Sequence, residues 1–474
     1  MSRLAVTALL MLYVTVAASA QFETRGASIT EPGSYSIALG DFNHDGDLDM
    51  AVASAGVSGG PSVSILLGKG DGTFLPATNY LGGNGPTSLV AADFNQDDSL
   101  DLAVANSLSF YISIFLGNGD GTFTPGPQNP SVEAPQSFVA VGDFNGDGIP
   151  DIVGLSTSNP CKCISVFLGN GDGTFQDAVI TEPPFDVLTI GLGDFNGDGK
   201  LDLITAGDYT INVLLGNGDG TFQYGASYPS ESGPDAVAVA DFNGDHKLDA
   251  AISNGSGGSV SVLLGNGNGT FQPTVNYPIS FPNWITAADM TGNGKLDLLV
   301  ATNVIRQRNG YSGATVLLGN GDGTFQQPGG FYESVPDSST SFVTVGDFNN
   351  DGKPDIAVTD GYDSAVVMLN TGVLSFSPNT MLLFSPQAVG TTSPPQKVTL
   401  TNTGSAALKV ASIEAAGQFE MKTTCGKAIA AGEDCTVSVT FSPRTKGKLN
   451  GTVTLIDNAS SKPQVIAMQG TGTD

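Results

Sequence analysis

The sequence predicts an all-β protein, a seven-bladed β-propeller whose N-terminal strand completes the last blade, followed by an immunoglobulin-like β-sandwich. Three observations predict it. One acidic nine-residue loop recurs seven times, as DFNHDGDLD (41–49), DFNQDDSLD (93–101), DFNGDGIPD (143–151), DFNGDGKLD (194–202), DFNGDHKLD (241–249), DMTGNGKLD (289–297) and DFNNDGKPD (347–355). A second string, GNGDGTF or a close variant, follows each of the first six. Beyond residue 372 both strings stop, and short apolar segments of another kind begin.

Successive acidic loops start roughly 50 residues apart, the period of a repeat architecture. Each is entered by an apolar run such as AVAVA (236–240) or VAVG (139–142) and left by another, such as LAVAN (102–106) or LITAG (203–207). A third run leads into the second string, as in FLGNGDGTF (115–123) and LLGNGDGTF (214–222). These runs are short, rich in β-branched residues and bounded by glycine, so they read as strands. The Gly and Asn of GNGDG accept positive φ and mark a tight hairpin, with a fourth strand after the Thr-Phe pair. Four strands per repeat is the pattern of a propeller blade. The Phe after GDGT is expected to pack between neighbouring blades.

A solenoid is the main alternative, and the chain ends argue against it. The seventh repeat reaches a third strand at VVMLN (366–370) and then lacks GDGTF. The segment QFETRGASI (21–29) resembles the fourth-strand segment TFQYGASYP (221–229). It is expected to complete the last blade and remove the open edges that a solenoid must cap.

After the repeats come MLLF (381–384), KVTLTN (397–402), LKVASIE (408–414), CTVSVTF (435–441), GTVTLID (451–457) and QVIAMQG (464–470), the strands of the expected sandwich. Residues 1–20 read as a secretory signal, with Arg3 before an apolar run and Ala18-Ser19-Ala20 before Gln21. The expected organisation is therefore signal 1–20, propeller 21–372 and sandwich 373–474. No later segment is apolar enough to span a bilayer. In an exported chain Cys425 and Cys435 are expected to form a disulfide. The pair Cys161 and Cys163 is open between a loop-tip disulfide, two inert thiols and a redox or metal role.

Formal net charge is −28 although only 14% of residues are charged, because the carboxylates concentrate in the repeats. No basic footprint for nucleic acid exists. The loops place oxygen at positions 1, 3, 5 and 9 and a backbone carbonyl at position 7, a hard-cation set. The candidate ligands are Asp41, Asn43, Asp45, Asp47 and Asp49; Asp93, Asn95, Asp97, Ser99 and Asp101; Asp143, Asn145, Asp147, Ile149 and Asp151; and Asp194, Asn196, Asp198, Lys200 and Asp202. The later loops add Asp241, Asn243, Asp245, Lys247 and Asp249; Asp289, Thr291, Asn293, Lys295 and Asp297; and Asp347, Asn349, Asp351, Lys353 and Asp355. Ca²⁺ is favoured over Mg²⁺ because a five-oxygen protein loop suits the larger, more flexible ion. Up to seven ions are expected, with loop 289–297 weakest because it holds only two carboxylates. The only histidines, His44 and His246, fall inside loops and read as solvent-facing, and Asp120 of GDGTF reads as a turn former.

The DFNGDG and LLGNGDGTF strings resemble FG-GAP/VCBS repeats, which form the Ca²⁺-bearing propeller of integrin α-subunits and of many exported bacterial proteins. The resemblance covers about residues 21–372, and loop six departs from it at Thr291 and Asn293. It implies cations on one face and protein or sugar ligands on the other. KVTLTNTGSAALKV (397–410) and CTVSVTFSP (435–443) are similar to ASH or choice-of-anchor D domains, which implies an interaction or anchoring module.

Outside the loops no nucleophile–His–acid set, zinc spacing or phosphate loop is found. The leading expectation is a non-enzymatic binding or adhesion scaffold, secreted or at the cell surface and monomeric, with an extracellular protein or glycan as partner. The alternatives are a lectin and a Ca²⁺-dependent polysaccharide lyase. Candidates for the ligand face are Trp284, the only tryptophan, and Arg306, Arg308 and Tyr311 in the loop 304–313. Five residues before the loop Asp, where Trp284 stands, the other repeats carry Ser36, Ser88, Phe138, Thr189, Ala236 and Phe342, an incomplete aromatic ring.

Overall fold

The computed structural model of the protein describes residues 22–30, 33–55, 63–127, 130–131, 134–157, 161–303, 311–326, 330–336, 340–361, 364–370, 375–377, 382–402, 408–430, 433–457 and 464–474. Regular structure among them is all β. The chain divides into two units, one spanning Phe22–Asn370 and the other containing Thr371–Asp474.

In the first unit the described residues form seven four-stranded antiparallel sheets. The fourth is representative: Thr189–Gly193, Asp202–Gly207, Thr210–Gly216 and Phe222–Pro229 follow one another as a meander. Each acidic loop joins the first strand of a sheet to the second, and each GNGDG turn joins the third to the fourth. Antiparallel order puts both connections at the same end of the sheet and the second-to-third connection at the other. The second strands, such as Asp49–Ser54, Asp101–Asn106 and Asp202–Gly207, are buried along their whole length. That is why they read as continuous apolar runs rather than alternating ones.

The seventh sheet is assembled from both ends of the unit. Its order is Phe22–Ile29, Ser364–Asn370, Asp355–Thr359, Phe342–Gly346. Phe22 pairs with Asn370 and Ile29 with Ser364, as the resemblance of 21–29 to a fourth strand predicted. Phe342–Gly346 lies against both Pro282–Ala288 of the sixth sheet and Ser34–Gly40 of the first, so the last sheet returns to the first. Separate apolar clusters fill the spaces between sheets. One joins Phe42, Ala51 and Ile65 to Leu102, Phe115 and Phe123; another joins Met50 and Leu66 to Phe342 and Phe348 across the point of closure.

The expected loop 304–313 is shorter than the sequence suggests. Tyr311, Ser312 and Gly313 belong to the strand Tyr311–Leu317 and pair with Pro336, Val335 and Glu333. Glycine and serine in that stretch conceal a strand whose partners supply the register. Arg306 and Arg308 lie outside the described residues, as does the expected signal 1–20.

The second unit has two sheets around one core. Ser375–Ser377, Gln396–Thr401, Asp434–Phe441 and Phe419–Thr423 form the first. Leu382–Leu383, Gln464–Thr473, Gly447–Asp457, Leu408–Ala416 and Ala428–Ile429 form the second in that order, with Gln387–Ala388 also paired to Gln464–Thr473. Phe384, Phe419, Phe441, Val437, Val439 and Leu455 meet between them. The six predicted strands are present. Phe419–Thr423 was not predicted, because an edge strand with Glu420 and Lys422 lacks an apolar run.

Candidate metal loops and the junctions that hold them

The fourth acidic loop shows how nine residues fold without a helix. Asp194 Oδ1 accepts the N–H groups of Gly197 at 2.7 Å and Asp198 at 3.2 Å, and its Oδ2 accepts that of Gly199 at 2.8 Å. Asn196 Oδ1 accepts from Asp198 N–H and Asp198 Oδ1 from Lys200 N–H. The chain can turn this tightly because Gly197 and Gly199 take φ of 75° and 81°. The other six loops repeat the bonds from positions 5 and 6 to the first Asp and from position 7 to position 5. Short polar side chains thus close the loop on itself, and oxygens such as Asp194 Oδ2 and Asp198 Oδ1, with one N–H bond each, keep a second lone pair. Where the turn glycine is replaced, Asp98 and His246 take φ of 68° and 63°.

The ninth position does something the sequence did not disclose. Asp202 is fully buried, its Oδ2 accepting Phe195 N–H at 2.9 Å and its Oδ1 accepting Gly216 N–H at 2.8 Å. One carboxylate therefore ties the second strand to the loop and to the end of the third strand. Asp49, Asp101, Asp151, Asp249, Asp297 and Asp355 make the same pair of bonds. Gly216 must be glycine, because a Cβ there would run into the Leu201 carbonyl. Burial pushes the Asp49 carboxyl up to about 6; the Gly68 and Phe42 N–H bonds oppose this, and Asp45 and Asp41 add repulsion. Asp297, also raised chiefly by burial, reaches about 7.

The donor set fits a hard cation in its chemistry. All side-chain ligand atoms at positions 1, 3, 5 and 9 are oxygens, and repulsion between the carboxylates adds to the burial that chiefly raises the position-nine carboxyls. Among the described residues no three acidic, histidine or cysteine side chains already converge as a cage.

Position two locks each loop to the next sheet. Phe42, Phe94, Phe144, Phe195, Phe242 and Phe348 each stand edge-to-face on the GDGTF phenylalanine of the following sheet, at Phe123, Phe175, Phe222, Phe271, Phe325 and Phe74, with centroids 5.4–6.1 Å apart. Backbone bonds run beside the rings, such as Gly121 N–H to Phe42 O and Gly72 N–H to Phe348 O. Tyr80, Tyr228 and Tyr277 add a further tie, each accepting through its hydroxyl the N–H of Phe123, Phe271 or Phe325 in the next sheet. The sequence signal for this tie was a tyrosine near the end of the fourth strand.

Loop six also departs from the pattern at position two, for a structural reason. Met290 replaces the phenylalanine, and the sheet that follows is the one without GDGTF. Asn370 stands at the end of that sheet's third strand, and its side-chain amide donates to Met290 O at 2.8 Å and Pro354 O at 3.0 Å.

The remaining candidates separate. His246 is 96% exposed along its side chain, and Asp120 Oδ1 accepts both Thr122 N–H and its hydroxyl, as a turn former does. Trp284 is half-buried, 4.4 Å from Phe342 and 6.1 Å from Phe138, so the incomplete aromatic ring becomes one contact among the third, sixth and seventh sheets. Tyr311 begins the strand Tyr311–Leu317. Cys425–Cys435 and Cys161–Cys163 are both disulfides, which settles the open pair. Among the described residues no helix is long and apolar enough to cross a membrane.

Residues 41–104, 93–154, 143–205, 194–252, 250–300 and 289–358 match the FG-GAP-like repeat. Residues 371–465 match the ASH domain (Abnormal spindle-like microcephaly-assoc'd, ASPM-SPD-2-Hydin). No curated protein matches the chain. Among solved structures it is similar to the WD40 domain of Toxoplasma gondii coronin, with a TM-score of 0.50 and 12% identity over 74% of this chain and 86% of that one. It also matches an Agrocybe aegerita lectin that recognises non-reducing terminal N-acetylglucosamine, with a TM-score of 0.45 and 20% identity over 64% and 80%. Human CEP192 PapD-like domain 7, an ASH domain, matches with a TM-score of 0.17 and 14% identity over 22% and 87%. The coronin likeness speaks for a propeller-like fold and nothing more. Six matched repeats spanning most of the first unit show that the chain belongs to the FG-GAP-like repeat family and ends in an ASH domain.

Proposed function

We propose that the protein is an exported, Ca²⁺-stabilised binding or adhesion scaffold without enzymatic activity, built as one ring of seven blades followed by an immunoglobulin-like domain. The observation that carries this reading is the position of the acidic residues. They close loops and clamp strands, so the chemistry-bearing side chains of the repeat hold the architecture. Ca²⁺ would be held by positions 1, 3, 5, 7 and 9 of each loop, and when bound it supplies the positive charge that offsets carboxylate repulsion. Binding of a protein or glycan then falls to the end of the sheets opposite the acidic loops, where connections vary in length and composition. Two disulfides support export, with residues 1–20 as the signal.

The test is a glycan array and a cell-surface pull-down with the mature chain, each with Ca²⁺ and with EDTA, alongside a thermal melt. Expected are specific capture that weakens in EDTA and a melting temperature that falls with it. Unsaturated products from a uronate polymer would overturn the non-enzymatic reading in favour of a lyase. An unchanged melting temperature in EDTA would remove the metal.

A further inference from the structure

The acidic loops differ at position four, and the difference divides the ring. In loops 143–151, 194–202, 241–249 and 289–297 the residue is Gly146, Gly197, Gly244 or Gly292, with φ between 68° and 76°. In loops 347–355, 41–49 and 93–101 it is Asn350, His44 or Gln96, at φ of 56°, 59° and 59°. A side chain at that backbone costs conformational energy that glycine avoids. Each of the three reaches forward to the next sheet. Asn350 Nδ2 donates to Asp47 Oδ1 at 2.7 Å. A Cβ placed on Gly119 would lie 3.2 Å from the His44 ring and 3.1 Å from Ser99 Oγ; one placed on Gly171 would lie 3.1 Å from Gln96 Oε1 and 3.3 Å from Ile149. The forward contact thus falls beside position seven of the following loop every time: Asp47, Ser99, Ile149.

The other sheets solve the same junction locally. Where the preceding position four is glycine, position seven is lysine, and its methylenes cover the GNGDG glycine of its own sheet: Lys200 over Gly218, Lys247 over Gly267, Lys295 over Gly321. A bridging side chain and a local lysine are alternatives, and no described junction uses both.

We infer that loops 347–355, 41–49, 93–101 and 143–151 take up divalent cations as a coupled set, through Asn350, His44 and Gln96, whereas the lysine-covered loops bind one at a time. Position four lies between ligand positions 3 and 5 of its own loop; Asn350 bonds the side chain at position seven of the next loop, and His44 and Gln96 lie beside the same position in theirs. Closing one loop on an ion therefore positions the next. The arc includes the closure between the seventh and first sheets. These three are positioning residues, and the inference rests on the Ca²⁺ reading above.

The experiment is calorimetric titration of the metal-free mature chain with Ca²⁺, for the parent and for N350G/H44G/Q96G. The triple variant gives the three loops the glycine that four others already carry. Expected is a steep component with a Hill coefficient of about 2 or more in the parent, falling to about 1 in the variant. The variant H44N/Q96N, which keeps a forward-reaching amide, is expected to retain the steep component. Superimposable parent and triple-variant isotherms, or a parent coefficient of 1, overturn the coupling and leave the metal reading standing. A triple variant that melts below the parent when both are in EDTA, with an isotherm shape like the parent's, means packing alone and also overturns it. A parent that takes up no Ca²⁺ overturns both.

Discussion

Asp202→Asn tests whether position nine is an architectural clamp in its own right. The carboxylate is fully buried, with one oxygen on Phe195 N–H and the other on Gly216 N–H. An amide keeps one acceptor and turns a donor toward the other N–H. A buried donor left unsatisfied costs about 1–3 kcal/mol, and the surviving bond loses about 1 kcal/mol of charge assistance. Against that, the neutral amide escapes the burial and the repulsion from Asp198 and Asp194 that raise this carboxyl's pKa, an opposing effect. The loss in EDTA is therefore at most about 2–4 kcal/mol. Asp202→Ala, which strands both N–H groups, costs about 2–5 kcal/mol. Asp198→Ala, at an exposed position with one loop bond, costs less than about 1 kcal/mol. Denaturant midpoints in EDTA at pH 7.5 give the ranking. If Asp202→Asn leaves the midpoint unchanged in EDTA and lowers it only with Ca²⁺, position nine is a metal ligand alone and the clamp is refuted.

Three further outcomes are expected. In EDTA the melting temperature should rise as pH falls from about 7 to about 5. Asp49, Asp101, Asp151, Asp249 and Asp355 hold protons up to about 6 when folded, against 3.8 when unfolded, so their contribution is present below 3.8 and lost as pH rises through 6. A flat or opposite slope would contradict this, and Ca²⁺ should abolish the rise because it competes with those protons. Deleting residues 22–29 leaves Ser364–Asn370, buried along its length, as an open edge; size-exclusion should show association, reversed by adding the segment as a peptide. Replacing Cys425 and Cys435 by serine opens a ten-residue closure and should cost the second unit about 3 kcal/mol in denaturant, with the first unit's transition unmoved.

Much of this was legible in the sequence because a repeat shows the same local solution many times. Four strands per period, the turn at GNGDG and the fourth-strand character of 21–29 all follow from local backbone chemistry and from comparing one copy with another. The clamp at position nine was hidden behind the ligand role that the same aspartate suggests. Oxygen at that spacing satisfies a cation or two backbone N–H groups equally well on paper. At loop six the sequence shows the ligand changes Thr291 and Asn293 but gives no reason for Met290. The structure supplies one: Met290 faces the one sheet without a GDGTF phenylalanine, with Asn370 in place of the usual glycine. The strand at Tyr311–Gly313 was missed because its glycine and serine carry no apolar signal, and only pairing with Glu333–Pro336 reveals it.

By itself, then, the sequence determined whatever a single repeat can decide: strand positions, turn glycines, oxygen spacing and the split of the last repeat between the chain ends. Tertiary structure alone decided what depends on the neighbour. Which phenylalanine meets which, which carboxylate is buried among three strands, and which position-four side chain crosses to the next loop are settled by sheets roughly 50 residues apart in sequence and touching in space. No local pattern encodes that contact, because the partner's position exists only once the chain has closed.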